Sequence, residues 1–234
     1  MKRSKHLILL PGLLCDASLW RNQINAFRDV IDIIVGDLTR SETMEEMAQQ
    51  ILSEAPPTFA LAGLSMGGYV AQEIMRRAPQ RVERLAFLNT NARADSDEQR
   101  RISAGLIDLA IIGKFKGVTP RLLPSLIHPS RMEDPAVAGV VLEMAERMGQ
   151  EVFKRQQKAI LGRKDGREDL RAISVPTLIL SGRDDLLCPP KVQEEMAELI
   201  EKVKLVIIDH CGHLSPLEQP DEVLAELREW LGYC

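Results

Sequence analysis

Few folds suit a chain that alternates strand and helix along most of its length, and that alternation dominates this sequence. Six short runs, at residues 6–10, 31–35, 58–63, 84–89, 177–181 and 204–209, are apolar almost without interruption over part of their length. Such runs are expected where helices cover both faces of a parallel sheet, because neither face is left for polar side chains. Segments of helical period lie between them, at 17–27, 44–54, 67–77, 191–200 and 221–231. Thr43 and Glu46 are spaced as a capping box before the second helix, and Pro220-Asp221 opens the last. The expectation is a doubly wound α/β sheet.

The alternation fails once, from about 94 to 172. This stretch starts with the charged run Asp95-Ser96-Asp97-Glu98-Gln99-Arg100-Arg101 and shows helical patterns near 102–112, 135–148 and 151–161. Pro120, Pro124 and Pro129 are expected to break it in the middle, and no strand pattern stands out. The reading is a core of residues 1–93 and 173–234, with 94–172 inserted as a helical cap above the strand ends.

At 234 residues the chain is long enough to bury one substantial core without disulfides or metal. Its net charge of −4, with no stripe of Lys and Arg broken by aromatics, argues against nucleic acid and anionic membranes as partners. The basic start, Met1-Lys2-Arg3-Ser4-Lys5, leads into an apolar run that Pro11-Gly12 ends too soon for a signal peptide. Cys15, Cys188, Cys211 and Cys234 show no CxxC spacing, so free thiols in a reducing cytoplasm are expected.

Gly63-Leu64-Ser65-Met66-Gly67 follows the third strand and opens into a helix. G-x-S-x-G alone is a modest signal. On a strand-to-helix turn it places a serine hydroxyl above the sheet, on a strained backbone, with helix N–H groups aimed at any anion forming beside it. A serine hydroxyl needs an adjacent base at neutral pH. His6 opens a strand at the far end and His128 lies in the insertion, whereas His210 and His213 both follow the last strand. His213 is favoured, since Gly212 permits a sharp turn and Pro216 and Pro220 keep the loop compact. An orienting carboxylate should follow another strand, and there Asp184 and Asp185 both qualify.

Together these segments resemble the α/β-hydrolase superfamily over essentially the whole chain, in a branch of small bacterial carboxylesterases and enol-lactonases. Ser65 matches the nucleophile elbow. Gly182-x-x-Asp185 followed by Pro189 is similar to the acid loop, and Gly212-His213 with Leu217-Glu218-Gln219-Pro220 to the histidine loop. The resemblance selects Asp185 over Asp184 and implies a reduced sheet of about six strands. One departure is Pro11-Gly12, where the family commonly has His-Gly. A rearranged loop is expected there.

In the family's strand order the loops after the first and third strands meet at the crevice where the winding reverses. Backbone N–H groups of Leu13 and Met66 would then form an oxyanion hole, with Leu14 as an alternative to Leu13. The implied activity is hydrolysis of a small carboxylic ester or lactone through an acyl-enzyme on Ser65. His213 is the implied base, Asp185 its orienting acid, and no metal or organic cofactor is required. C–C bond cleavage or elimination on the same residues, and a ligand receptor with little turnover, are the competing readings. Cys15, Cys188 and Cys211 read as small buried residues near the site loops, Arg93 as a surface or hinge residue, and the methionines as core packing.

Overall fold

The computed structural model describes residues 4–109 and 118–233. Six strands form one sheet: β1 (His6–Leu10), β2 (Asp32–Val35), β3 (Phe59–Leu64), β4 (Val82–Leu88), β5 (Thr177–Gly182) and β6 (Val203–Ile208). Their order is β2-β1-β3-β4-β5-β6, and all five pairings are parallel. β1 therefore lies between β2 and β3, and the winding reverses there.

Side chains explain the apolar runs. Leu7 and Leu9 of β1 join Ala60, Ala62 and Leu64 of β3 on one face, against Trp20, Phe27, Leu227 and Trp230. Ile8 and Leu10 join Phe59, Leu61, Leu85 and Phe87 on the other, against Met47, Ile51, Val70 and Ile74. Two consecutive residues of β1 thus enter two different cores, the two-sided burial that a parallel sheet requires.

α1 (Arg21–Phe27) and α10 (Pro220–Leu231) cover the first face; α2 (Met44–Glu54), α3 (Met66–Arg77) and α8 (Pro190–Leu199) cover the second. Thr43 caps α2 by accepting from the Glu46 N–H at 3.1 Å. The reciprocal half of the expected capping box is displaced by one residue, because the Glu46 carboxylate reaches the N–H of Glu42 instead.

Between β4 and β5 the described elements are helical. α4 (Asp97–Leu109), α5 (Val118–Leu126), α6 (Val140–Gly162) and α7 (Arg167–Leu170) follow in turn. The expected helix at 102–112 ends outside the described residues. Pro120 and Pro124 do not break the chain as expected but lie within α5. Pro120 falls in the first turn, where a missing N–H costs nothing, and Pro124 forfeits a single ladder bond. The two helical patterns at 135–148 and 151–161 run together as a π-helical turn, Pro135–Gly139, followed by α6. Gly149, at φ 73° and ψ 177°, kinks α6 between them.

These helices are fastened to the core in several places. Arg147 pairs with Asp16 at 2.8 Å, Arg155 Nε donates to the Thr39 carbonyl at 2.8 Å, and Lys158 pairs with Glu42. Phe153, fully buried, packs with Leu14 and Ala145 beneath them. Among the described residues, no helix is long and apolar enough to cross a membrane.

Candidate active site

Among the described residues, four that are not glycine have positive φ, and all follow the carboxyl ends of strands: Leu14 after β1, Ser65 after β3, Asn89 after β4 and His210 after β6. Strain of this kind persists only where the surroundings enforce it, and it gathers at functional sites. A cavity of about 280 Å³ opens at this rim, roofed by α4, α5 and α6. Ser65, His213, Leu13 and Leu14 all line it.

Ser65 adopts φ 53° and ψ −116° at the junction of β3 and α3. Its N–H donates to the Leu88 carbonyl at 3.0 Å, and its carbonyl accepts from Thr90 Oγ1 at 2.8 Å and from the Gly68 N–H at 2.9 Å. With the Tyr69 N–H, which also donates to the Ser65 carbonyl at 3.4 Å, four bonds hold the strained residue. The turn is so tight that a Cβ at Gly63 would strike the Gly67 backbone, and one at Gly67 the Leu10 carbonyl. The elbow's glycines are there for close approach.

Asp185 follows β5 and is almost fully buried. Its Oδ1 accepts from the N–H groups of Leu187 and Cys188, both at 2.9 Å. His213 Nδ1 lies 3.0 Å from Oδ1 and 2.8 Å from Oδ2. A carboxylate only accepts, so Nδ1 carries the proton and Nε2 is left as the bare, basic nitrogen. Ser65 and His213 share the cavity, yet no hydrogen bond joins their side chains among the described residues. Such bonds are often long without substrate and tighten in the reacting complex.

The rival candidates lie elsewhere. Asp184 is exposed and sits 3.7 Å from His128 Nε2. His210 is exposed and stands edge-on to the His128 ring, with centroids 5.8 Å apart. Arg93 forms two bonds to Glu195, at 2.7 and 2.8 Å, and does not line the cavity.

Three further residues shape this rim, of which the sequence pointed only to Glu218, as part of the histidine loop. Asn89, fully buried, donates through Nδ2 to Asp185 Oδ2 at 3.0 Å and to the Gly212 carbonyl at 3.1 Å. Its Oδ1 accepts from Ser215 Oγ at 2.6 Å, so one amide ties the acid loop to the histidine loop. Glu218, also fully buried, accepts the N–H groups of His128, Gly212 and Leu214 at 2.7, 3.0 and 2.9 Å. Burial holds its carboxyl above the usual carboxylate range, against the opposing pull of those three donors. Gln156 of α6 accepts the Leu14 N–H through Oε1 at 2.9 Å and donates through Nε2 to the Leu38 carbonyl at 3.1 Å. The Leu14 N–H is thereby consumed by Gln156. Met66, whose side chain is buried, begins α3 directly after Ser65.

The donor atoms of Asp185, Cys188 and His213 lie within 4.8 Å of one another, a spacing that a metal ion could bridge. Metal binding there would need a thiolate and a broken Asp–His bond. Burial instead pushes the Cys188 thiol up to about 12, and Cys15 likewise to about 12. Both cysteines line the cavity as neutral, poorly nucleophilic groups.

The sequence pattern of the Alpha/beta hydrolase family matches residues 7–227. The chain belongs to the alpha/beta hydrolase family. Within it, this hydrolase is similar to a thermophilic esterase from Thermogutta terrifontis, with 29% identity and a TM-score of 0.92 over 99% of this chain and 91% of the other. It is 26% identical over 242 residues to a pimeloyl-[acyl-carrier protein] methyl ester esterase of Legionella pneumophila (strain Corby), covering 96% of this chain and 94% of that one. The enol-lactonase of Burkholderia xenovorans LB400 shares the fold, with a TM-score of 0.89 at 23% identity over 99% and 92% of the two chains.

Proposed function

We propose that this hydrolase cleaves a small carboxylic ester or lactone through an acyl-enzyme on Ser65. The observation that carries this reading is a strained serine and a carboxylate-bound imidazole lining one enclosed cavity. His213 Nε2 takes the Ser65 proton as Oγ attacks the carbonyl carbon. The Leu13 and Met66 N–H groups receive the developing oxyanion. His213 then protonates the departing alcohol or enol, and water activated by the same nitrogen releases the acid. Asp185 stays ionised and keeps the proton on Nδ1.

Gln156 of α6 supports the loop that carries the proposed Leu13 donor by holding the Leu14 N–H. Relatives that are esterases agree with the ester reading, and the cavity's size with a small substrate.

The test is turnover of p-nitrophenyl butyrate by purified protein. Ser65→Ala should reduce kcat by about 10⁴-fold or more while the protein stays folded. A Ser65→Ala protein that retains the wild-type rate would contradict the scheme.

A further inference from the structure

The cavity has two unlike walls. Leu13, Leu122, Leu126, Val141, Ala145 and Leu214 make one of them apolar. Tyr69, Asn91, Asp95, Gln157 and Arg163 make the other polar. Four of these touch in turn, Asn91 Nδ2 at 3.3 Å from the Tyr69 hydroxyl, Arg163 over the Tyr69 ring and Arg163 paired with Asp95.

Arg163 is the only lysine or arginine among the described lining residues, and each of its three nitrogens already donates one hydrogen bond. Its Nη2 donates to Asp95 Oδ1 at 2.6 Å, Nη1 to the Ile160 carbonyl at 3.1 Å and Nε to the Arg93 carbonyl at 3.2 Å. Its face lies 4.3 Å from the Tyr69 ring centroid, and only 6% of its side chain is exposed. A substrate carboxylate entering here would find a cation already neutralised by Asp95 and would face that residue's charge as well.

The same wall carries two acceptors without partners. Asp95 Oδ2 and Gln157 Oε1 are both buried, and neither makes a hydrogen bond among the described residues. Gln157 is 4% exposed, and 7% of the Asp95 side chain is exposed. A buried acceptor left unpaired costs about 1–3 kcal/mol, so two of them on residues that line one cavity favour a ligand group that donates. A glutamine amide can turn to present either end, but a carboxylate only accepts. The donor requirement therefore survives rotation of Gln157.

We infer that this wall is a specificity subsite for a hydrogen-bond-donating group on the substrate, a hydroxyl or an amide N–H. The preferred substrate class is then a small hydroxylated or amide-bearing ester, and neither a plain alkyl ester nor one with a free carboxylate. This rests on the reading of the cavity as the acyl-substrate site. Sites that hydrogen-bond a substrate OH or NH reject analogues that lack it far more strongly than apolar pockets reject an extra methylene.

The test uses full-length protein and three methyl esters of similar size, of 3-hydroxybutanoate, butanoate and monoanionic succinate, with methyl 4-acetamidobutanoate as a fourth. Calorimetric Kd values are measured on Ser65→Ala, which holds esters without consuming them. The hydroxylated or the acetamido ester should bind at least tenfold tighter than methyl butanoate, and the succinate ester weaker than methyl butanoate. Adding Gln157→Leu, which leaves Asp95 in place, should cut the preference for the donor-bearing ester at least threefold. Asp95→Asn is the second variant, but it breaks the Arg163 pair, so Gln157→Leu decides.

Equal affinity for all four, tightest binding of the succinate ester, or an unchanged preference in Gln157→Leu would overturn the subsite. Failure of the ester reading looks different: wild-type protein would release acid from none of the four, whatever their affinities.

Discussion

Ser65 pays in backbone strain for the exposure of its hydroxyl, and that strain has a measurable consequence. A non-glycine residue at φ 53° and ψ −116° costs about 1–3 kcal/mol. Ser65→Gly should therefore raise the thermal midpoint even as it removes the nucleophile, and a lower midpoint would show the turn to be unstrained. Asn89 is the counterpart on the other side of the site. Asn89→Ala leaves the Ser215 hydroxyl, one Asp185 oxygen and the Gly212 carbonyl short of partners, all buried. A stability loss of about 2–3 kcal/mol in urea titration is expected, together with a lower kcat. The strained turn at Ser65 was legible in the sequence because it is local: five consecutive residues carry both the serine and the glycines its turn needs. Asn89 was not, because it carries no motif and acts on a carboxylate 96 positions away. Asp184 and Asp185 could not be separated from their chemistry alone. The turn after β5 separates them, sending one side chain toward His213 and its neighbour toward solvent.

At the scale of elements, α6 does more than roof the cavity. Through Gln156 it reaches 142 positions back along the chain to hold the loop after β1, where Leu14 sits at φ 57°. Gln156→Leu would strand a buried N–H and a buried carbonyl and let the loop relax. A kcat at least tenfold lower is expected, with KM within about twofold, because a displaced oxyanion donor is felt chiefly in the transition state. A variant in which only KM rises would place Gln156 in substrate binding instead. The strands and four of the five core helices were readable from periodicity to within two residues, since each buries a continuous stripe or run; the expected helix at 17–27 begins instead as a 3-10 turn, Ala17–Trp20, with α1 starting at Arg21. The prolines of α5 were misleading for a physical reason: a proline in the first turn is harmless, and a second costs only one bond in a helix held by its neighbours. The role of α6 was hidden because a glutamine at helical spacing looks like any other polar position.

Across the whole molecule, the helices between β4 and β5 share hydrogen bonds with the site loops. The His213 N–H donates to the Leu126 carbonyl at 3.0 Å, and Glu218 binds the N–H of His128. They should therefore unfold with the sheet and not before it. Phe153→Ala, which empties the buried cluster beneath α6, is expected to cost about 3–5 kcal/mol. Loss of activity and loss of far-UV ellipticity should coincide along the urea axis; activity lost well before ellipticity would show these helices opening independently. The central claim is the covalent one, and it has a direct measurement. Wild-type protein turning over p-nitrophenyl butyrate is quenched in acid, and its intact mass and peptide map are read. A single butyryl adduct on the peptide containing Ser65, absent from Ser65→Ala, is the predicted result. Steady turnover with no adduct on that peptide, or an adduct that persists in Ser65→Ala, would contradict the account.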